Sequence, residues 1–297
     1  MKLNSVTGTF LKNESMANHT SWRCGGRAAF FFEPRSLKDL GIFLASFKEK
    51  KEIFLVGLGS NLLVRDKGFD GVIISTAKFL NKIQWKGEFS ELNVECGVSC
   101  AKIARESVKK NMKGLEFFVG IPGTVGGALK MNAGANGKDT WQNIKSVDVI
   151  SREGYIETLD RNSFNPGYRT IDGKNKWFVK ACFHLEKNLN KDGSAKIKEI
   201  LSQRKVTQPT GSFSCGSVFI NPENYFAGKL IEECGLKGVR VGGAIVSEKH
   251  ANFILNDRGA SASDIEKLIE LVRNQVRKKT GIKLECEVKI IGKKTNE

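Results

Sequence analysis

The sequence predicts an α+β protein built from three parts. Two helices that each precede a glycine-rich loop, a run of strand-like segments over 144–185, and an amphipathic helix near the C-terminus are the observations behind this prediction. We expect the first part to span 1–76, the second 77–195 and the third 196–287. The tail, 288–297, is expected to return to the first part.

The elements of the first two parts follow from spacing and turn signals. Apolar residues recur at helical spacing after Ser36, and a short apolar strand is predicted over 53–56. Further strands are predicted over 71–75 and 92–96, and Ser99 is placed to cap a second helix. Each helix leads by way of a strand or turn towards a glycine-rich loop.

The third part has the clearest local signals. Ser263, with Glu266 three residues later, predicts a capping box at the start of a helix, and Gly281 predicts the end of that helix. Strict alternation over 282–290 then predicts a strand with one apolar and one polar face. Two glutamates share the polar face, Glu285 and Glu287.

Composition excludes several classes of protein. The chain has 297 residues, of which 40% are hydrophobic and 27% charged, as in a soluble globular protein. No apolar run approaches the ~18 residues of a membrane span and no signal peptide is evident, so we expect a cytoplasmic protein without a membrane partner. Seven scattered cysteines and three isolated histidines predict reduced thiols and no metal site.

The net charge of +16 allows a nucleic-acid-binding interpretation. The lysines are, however, spread widely through the chain, which favours solvated faces and predicts no nucleic-acid partner. A positive charge also suits an enzyme whose small-molecule ligands all carry phosphates. The nucleic-acid interpretation stays open as an alternative at this stage.

Two glycine-rich loops, at 56–62 and 121–127, carry the strongest functional signal. Bare backbone N–H groups brought together in this way form a cradle for the diphosphate of a dinucleotide. The second loop continues into 131–135, where small residues again predominate. Neither loop has the third glycine of a Rossmann signature or the Gly-Lys-Ser/Thr of a Walker loop. The alternative is that the glycines serve only tight turns.

Motifs along nearly the whole chain resemble the UDP-N-acetylenolpyruvoylglucosamine reductase (MurB) family of peptidoglycan precursor synthesis, in the subgroup that lacks an extra tyrosine-bearing loop. The first glycine loop with its continuation to Gly71 carries the resemblance most clearly. The other matching motifs lie at 20–26, 121–134, 167–169, 216–219, 246–253 and 284–288.

The resemblance implies a PCMH/MurB-like fold in which a two-part region binds FAD and a C-terminal domain binds substrate. It also implies that NADPH is the reductant and that the reaction converts UDP-N-acetylglucosamine enolpyruvate to UDP-N-acetylmuramate, as in a UDP-N-acetylmuramate dehydrogenase. The cofactor-binding residues it implies are Gly57, Gly59, Ser60, Asn61, Leu62, Ile121, Pro122, Gly123, Thr124, Gly126, Gly127, Asn132 and Gly134.

Three residues are implied as catalytic: Arg169, Ser217 and Glu287. Hydride addition to the vinyl carbon leaves negative charge delocalised into the substrate carboxylate, which a bidentate Arg169 would bind. Ser217 would then donate a proton to carbon. Glu287, beside that carboxylate, would be protonated and would share a hydrogen bond with the developing charge.

Alternatives to these roles remain at the level of the residues. Ser212 and Ser214 compete with Ser217, and Glu285 competes with Glu287, until the family motif is considered. An arginine in a turn is also commonly just a solvated charge.

The resemblance also implies that Tyr168, Lys205 and Asn221 bind the substrate. Only 48 residues separate Arg169 from Ser217, so no lid tyrosine is assigned. We expect a monomer or a weak homo-oligomer that acts on a small UDP-sugar. A flavin oxidase of the same broad fold is the second alternative.

Overall fold

The computed structural model describes residues 6–87, 90–172 and 176–294. The chain divides into two compact units, each made of three separate segments of the sequence. The first unit comprises Met1–Leu11, Phe31–Gly57 and Ile73–Gln203, and the second comprises Lys12–Phe30, Leu58–Val72 and Arg204–Glu297. The three-part division of the sequence stays a prediction.

Six α-helices occur in the described part of the chain: α1 (Leu37–Ser46), α2 (Cys100–Lys109), α3 (Val125–Lys130), α4 (Gly193–Thr207), α5 (Ala227–Glu233) and α6 (Ala262–Thr280). The strands that precede α4 are β1 (Thr9–Ser15), β2 (Arg27–Glu33), β3 (Ile53–Val56), β4 (Leu62–Val64), β5 (Phe69–Ser75), β6 (Ile83–Lys86), β7 (Glu91–Glu95), β8 (Met112–Lys113), β9 (Gly134–Ala135), β10 (Lys138–Asp139), β11 (Ile144–Ile150), β12 (Ile156–Asp160), β13 (Pro166–Gly167), β14 (Thr170–Ile171), β15 (Trp177–His184) and β16 (Glu186–Lys187). The later strands are β17 (Arg240–Val241), β18 (Ala244–Val246), β19 (Ile254–Asn256) and β20 (Lys289–Ile291).

An antiparallel five-stranded sheet organises the first unit. Its strand order is β12-β11-β15-β7-β6. Apolar side chains of this sheet form one core with α2, α3 and the short 3-10 helix Glu116–Gly120. Within it, Phe118 packs edge-on against Phe183, and Trp141 donates from Nε1 to the Leu129 carbonyl at 2.9 Å. This core fixes α3, in which the last three residues of the second glycine loop lie.

The second unit is built around α6 and the antiparallel sheet β17-β18-β19. Strand β20 pairs in parallel with β4, which directly follows the first glycine loop. Trp22 is fully buried in this core and donates from Nε1 to the Ile254 carbonyl at 2.8 Å. The N-terminal motif around Trp22 therefore belongs to the core of the unit that also holds the C-terminal residues.

Several predicted helix boundaries are confirmed. Ser36 and Ser99 cap α1 and α2, because each hydroxyl accepts a backbone N–H of the first turn. Gly281 ends α6 at a φ of 76°, in the left-handed region that favours glycine. The strand predicted over 53–56 is also present.

The predicted capping box of α6 is wrong by two residues. Ser261 caps the helix, and its hydroxyl and the Asp264 carboxylate bond each other's backbone N–H groups. The backbone N–H of Ser263 donates instead to Asp66 at 2.8 Å. Asp66 lies almost 200 residues earlier in the chain, so the local pattern of Ser263 and Glu266 could not reveal this competition.

The strand predicted over 282–290 is also wrong in extent, because regular strand covers only β20, Lys289–Ile291. The preceding residues make an isolated bridge, in which Cys286 faces Phe219. A single bridge cannot sustain a strand along the whole alternating segment. The alternation nevertheless agrees with burial, since Leu284 and Val288 are buried and Glu285 is exposed.

Across residues 6–87, 90–172 and 176–294, no helix combines the length and apolarity that a membrane span requires. Within the same ranges, no three His, Cys, Asp or Glu side chains are grouped so that they could hold a metal ion.

Candidate active site and flavin-binding loops

The first glycine loop is shaped by contacts with protein. A Cβ on Gly57 would lie 2.2 Å from Oγ1 of Thr124, which belongs to the second loop. Gly59 is buried at a φ of 63°, and a Cβ there would lie 2.0 Å from the carbonyl oxygen of His19. Its own carbonyl accepts the N–H of Ser21 at 3.0 Å. Both glycines are therefore required by close packing of the chain on itself.

The second glycine loop leads directly into α3. The N–H groups of Val125 and Gly126 donate to the carbonyls of Val98 and Cys96, both at 2.8 Å. A Cβ on Gly126 would lie 2.9 Å from Cβ of Cys96. Gly127 differs, because it is exposed and a Cβ there would meet only Oγ1 of Thr124, at 4.0 Å. Gly127 leaves bare backbone in the first turn of a helix, which suits a bound diphosphate.

Asn132, which follows α3, holds the turn that carries Tyr168 and Arg169. Its side chain is only 5% exposed, and Nδ2 donates to the Gly167 carbonyl at 2.9 Å while Oδ1 accepts the N–H of Trp141 at 3.3 Å. Gly134 pairs with Asp139 in the hairpin of β9 and β10. These contacts give both residues a supporting role, and their contact with a cofactor stays a prediction.

Tyr168 and Arg169 form the two-residue loop of a hairpin between β13 and β14. Arg169 has a φ of 56°, an unusual conformation for a residue with a side chain. Its guanidinium carbon lies 5.5 Å from the centre of the Tyr168 ring, which is 59% exposed. The hairpin therefore presents a cation and an aromatic face together.

Ser217 lies in residues 214–219, the Ser217 segment, which is attached to the first glycine loop. The buried thiol of Cys215 donates to the carbonyls of Gly59 and Leu62 at 3.5 and 3.6 Å. Burial raises the pKa of this thiol to about 12, so it keeps its proton. Gly216 then turns the chain at a φ of 72°, and Ser217 is half-buried.

Glu287 is joined to the same segment through its backbone. Its N–H donates to the carbonyl of Val218 at 2.8 Å, and its carbonyl accepts Nδ2 of Asn61 at 3.1 Å. Glu287 is half-buried, whereas Glu285 is exposed. The second unit thus brings together Asn61, Ser217 and Glu287, which are far apart in sequence.

The competing serines differ in exposure, since Ser214 is half-buried like Ser217. Ser212 is exposed, and Ser214 lies on the other side of Cys215 from Ser217.

The two remaining substrate-binding candidates differ in their surroundings. Lys205 is exposed near the end of α4, and its carbonyl accepts the ammonium of Lys249. Asn221 supports α5, because Oδ1 accepts the N–H of Ala227 at 3.0 Å. Lys205 and Asn221 both belong to the unit that contains Ser217, whereas Arg169 belongs to the other unit.

Relatives from other bacteria match this chain over nearly its whole length. A UDP-N-acetylenolpyruvoylglucosamine reductase of Legionella pneumophila (strain Lens) is 47% identical over 287 residues, which cover 96% of this chain and 93% of the relative. The chain belongs to the UDP-N-acetylenolpyruvoylglucosamine reductase family. A protein of the same name from Methylococcus capsulatus is 46% identical over 286 residues, covering 96% and 94%.

A solved structure of the reductase family has the same fold. The crystal structure of UDP-N-acetylenolpyruvylglucosamine reductase (MurB) from Thermus caldophilus superposes with a TM-score of 0.82 at 28% identity, covering 96% of this chain and 99% of that one. The predicted α+β class and the predicted family are therefore confirmed.

Two family models match different parts of this chain. An FAD binding domain matches residues 28–160, and the C-terminal domain of UDP-N-acetylenolpyruvoylglucosamine reductase matches residues 208–291. The first range contains both glycine loops and confirms the predicted flavin cofactor. The second contains Ser217, Asn221 and Glu287. Tyr168, Arg169 and Lys205 lie outside both ranges.

Two further polar residues close to the candidate residues were not singled out from the sequence. Arg204 is half-buried beside Lys205, and its Nε donates to Oε1 of Gln208 at 2.8 Å. Burial lowers the pKa of this guanidinium, so a nearby anion would stabilise it. Asn252 bonds the backbone just after Ser217. It lies inside the family motif at 246–253, which was the available signal.

Gly127 offers a direct test of the cofactor cradle. Gly127→Ala should not lower the free energy of unfolding of the apoprotein, because the Cβ meets open space and alanine favours a helix by about 0.5–1 kcal/mol. It should weaken FAD binding, measured by titrating FAD into apoprotein. Gly59→Ala should instead lower the free energy of unfolding by at least about 2 kcal/mol, because the Cβ meets backbone and φ is positive. Unchanged FAD affinity in Gly127→Ala would contradict the cradle.

His250 predicts a loss of stability in mild acid. Its Nδ1 accepts the N–H of Asn252 at 3.2 Å, and burial lowers its pKa below the usual 6.5. The unfolded chain therefore binds a proton first as the pH falls below about 6.5, and the free energy of unfolding decreases until the folded pKa is passed. Urea unfolding at pH 7.5 and 5.5 should show a larger loss of unfolding free energy in the wild type than in His250→Asn.

The matched control for this effect is the exposed His184. His184→Asn should keep the acid sensitivity of the wild type. An equal loss in the wild type and His250→Asn would show that other groups cause it.

Proposed function

We propose that this protein catalyses the FAD-dependent reduction, by NADPH, of the enolpyruvyl group of UDP-N-acetylglucosamine enolpyruvate. The product would be UDP-N-acetylmuramate, a precursor of peptidoglycan, and the enzyme a UDP-N-acetylmuramate dehydrogenase. The observation that carries the proposal is the attachment of the Ser217 segment to the first glycine loop through Cys215, and to Glu287 through Val218. A hydroxyl and a carboxyl are thereby held beside a loop of the flavin-binding sequence.

FAD, held at the two glycine loops, would supply the hydride that it receives from NADPH. The protein has to bind the substrate, stabilise negative charge and deliver one proton. The Gly127 backbone at the start of α3 would hold the FAD diphosphate, while Gly57, Gly59 and Gly126 allow the loops to pack as they do.

Arg169 would bind the carboxylate of the enolpyruvyl group. The hairpin fixes its backbone, and a guanidinium can pair with both carboxylate oxygens at once. Tyr168 would contribute an aromatic wall and a hydroxyl. Because the reaction places additional negative charge on the carbon beside that carboxylate, a fixed cation stabilises the transition state more than the ground state.

Ser217 would donate the proton that completes the reaction. Its hydroxyl is a weak acid, but a carbanion conjugated with a carboxylate is a strong enough base to accept its proton. Gly216, with open space where a Cβ would project, places no side chain before the serine. Glu287, in its protonated form, would donate a hydrogen bond to the charge that develops on the carboxylate.

The positive side chains of α4 would serve the diphosphate of the UDP-sugar. Arg204 and Lys205 are adjacent cations, one half-buried and one exposed. Asn221 would contribute through Nδ2, because Oδ1 accepts the N–H of Ala227.

We further propose that the protein acts in the cytoplasm as a monomer or weak homo-oligomer, without a nucleic-acid or membrane partner. The division into regions 1–76, 77–195 and 196–287 is part of the same proposal. The dispersed lysines argue against a nucleic-acid partner, and the composition argues against a membrane partner.

Anaerobic mixing tests the function in two steps. NADPH alone should bleach the visible flavin absorbance, and subsequent addition of UDP-N-acetylglucosamine enolpyruvate should restore it with formation of UDP-N-acetylmuramate. Failure of the sugar nucleotide to restore the absorbance would overturn the substrate assignment. Rapid recovery on addition of air without substrate would instead support the flavin oxidase alternative.

A further inference from the structure

Asn252 makes three hydrogen bonds to the two residues that follow Ser217. It is 3% exposed. Its Oδ1 accepts the N–H of Phe219 at 2.9 Å, and its Nδ2 donates to the Phe219 carbonyl at 2.8 Å. Its backbone carbonyl accepts the N–H of Val218 at 2.9 Å. One buried side chain thus bonds both backbone groups of Phe219, as a neighbouring strand would.

The Ser217 segment depends on this contact because it is not part of a regular strand. Phe219 makes only an isolated bridge, to Cys286, and Gly216 before the serine has a φ of 72°. Upstream, Cys215 attaches the chain to the first glycine loop. Ser217 is therefore held between Cys215 upstream and, downstream, the bonds to Asn252 and the backbone bond from Glu287 to Val218.

Asn252 also sets the relation between Ser217 and Glu287. The N–H of Val218 donates to Asn252, while the carbonyl of Val218 accepts the N–H of Glu287 at 2.8 Å. A shift of the Val218 backbone would therefore move the Ser217 hydroxyl relative to both Glu287 and the first glycine loop. In an enzyme, a misplacement of about 1 Å can slow a reaction about 100-fold.

We propose that Asn252 is the positioning residue for proton donation by Ser217. The proposal rests on the proposed function, and it assigns to Asn252 no contact with substrate or FAD. It concerns the step in which the enolpyruvyl group is reduced and protonated, and leaves the reduction of FAD by NADPH unaffected.

The first test compares the two half-reactions in the flavin-loaded wild type, Asn252→Ala and Asn252→Asp by anaerobic stopped flow. Both variants should bleach with NADPH at rates within about twofold of wild type. Recovery with the enolpyruvyl sugar nucleotide should slow by about 10- to 100-fold at neutral pH. If recovery is as fast as in the wild type, or if both half-reactions slow equally, the positioning role is wrong.

The second test measures how the rate of flavin recovery in Asn252→Asp depends on pH. A residue that only stabilised the fold would not give this rate a pH dependence. The protonated carboxyl that it introduces can donate to the Phe219 carbonyl and accept the Phe219 N–H, as the amide does, whereas the ionised form cannot donate. Recovery should therefore become faster relative to Asn252→Ala as the pH falls. A constant ratio between the two variants would overturn the proposal.

Nearby titrating groups are shared by all three proteins. His250 faces Asn252 through Nδ1, with Glu232 and Lys237 close enough to influence it, and Glu287 faces it across Val218. Because these groups are present in wild type and Asn252→Ala, the ratio of rates isolates the introduced carboxyl.

Asn256 provides a matched control in the same unit. Its Nδ2 donates to the Trp22 carbonyl and its Oδ1 accepts the N–H of Ala260, both at 2.7 Å. Asn256→Ala also removes two side-chain bonds to backbone, but neither goes to the Ser217 segment. It should lower the melting temperature without selectively slowing recovery, and a selective slowing in Asn256→Ala would refute the assignment.

Failure of this proposal is distinguishable from failure of the proposed function. If wild-type flavin does not recover with the enolpyruvyl sugar nucleotide, the function is wrong and Asn252 has no such step to serve. If the wild type recovers and Asn252→Asp recovers equally fast at every pH, only the role of Asn252 is wrong.

Discussion

Ser217→Ala should leave bleaching of the flavin by NADPH within about twofold of wild type and slow its recovery with the enolpyruvyl substrate by about 10²–10⁴-fold. The reason is that the hydroxyl is required only when carbon takes up a proton. Alanine fits the half-buried position and keeps the backbone bonds of the following residue to Asn252 and Glu287. Rapid mixing under anaerobic conditions measures the two rates separately.

Ser214→Ala is the matched control for this substitution, because it removes a hydroxyl three residues earlier on the same segment. It should alter neither half-reaction by more than about twofold. A loss of both half-reactions in Ser217→Ala would assign the serine to cofactor binding. A larger effect of Ser214→Ala on recovery would identify that hydroxyl as the donor.

Local sequence predicts helix ends well where nothing distant competes. Ser36, Ser99 and Gly281 act at α1, α2 and α6 as their spacing indicates. At the start of α6 two serines are each followed by an acid three residues later, and the choice falls on Ser261. Asp66 accepts the N–H groups of Ala262 and Ser263 and so fixes the first turn. Such a long-range contact has no signature in a local pattern.

The glycine loops show a similar limit. Their composition predicts a place where something bulky lies against the main chain. At Gly57 and Gly59 that object is the protein itself, namely Thr124 and the backbone at His19. At Gly127, by contrast, a Cβ would meet only Oγ1 of Thr124, at 4.0 Å. Composition predicts that some group packs closely against the main chain of the loops, and the structure shows which group this is.

Supporting residues were the least predictable part of the site. A motif can point to Ser217 and Glu287 because their side chains have evident chemistry. Cys215 and Asn252 act through hydrogen bonds to backbone groups that lie 156 and 33 residues away in sequence. Their residue types fit a core as well as a site, so their role becomes visible only from the contacts.

Arg169→Lys should raise the KM for the enolpyruvyl substrate and slow its reduction, with a combined loss in kcat/KM corresponding to about 2–5 kcal/mol. The substitution keeps the positive charge but removes the planar pair of donors that matches a carboxylate. Bleaching by NADPH should change little. Steady-state kinetics over a range of sugar nucleotide concentrations, together with the two half-reactions, measure the effect.

Arg169→Gly separates the guanidinium from the turn that carries it. Arg169 has a φ of 56°, which glycine adopts without strain, so this variant should fold with a free energy of unfolding at least equal to that of wild type. It should nevertheless lose as much activity as Arg169→Lys or more. If activity persists in Arg169→Gly, the arginine is only a solvated charge. If activity is lost, the side chain has a function that offsets an unfavourable backbone conformation.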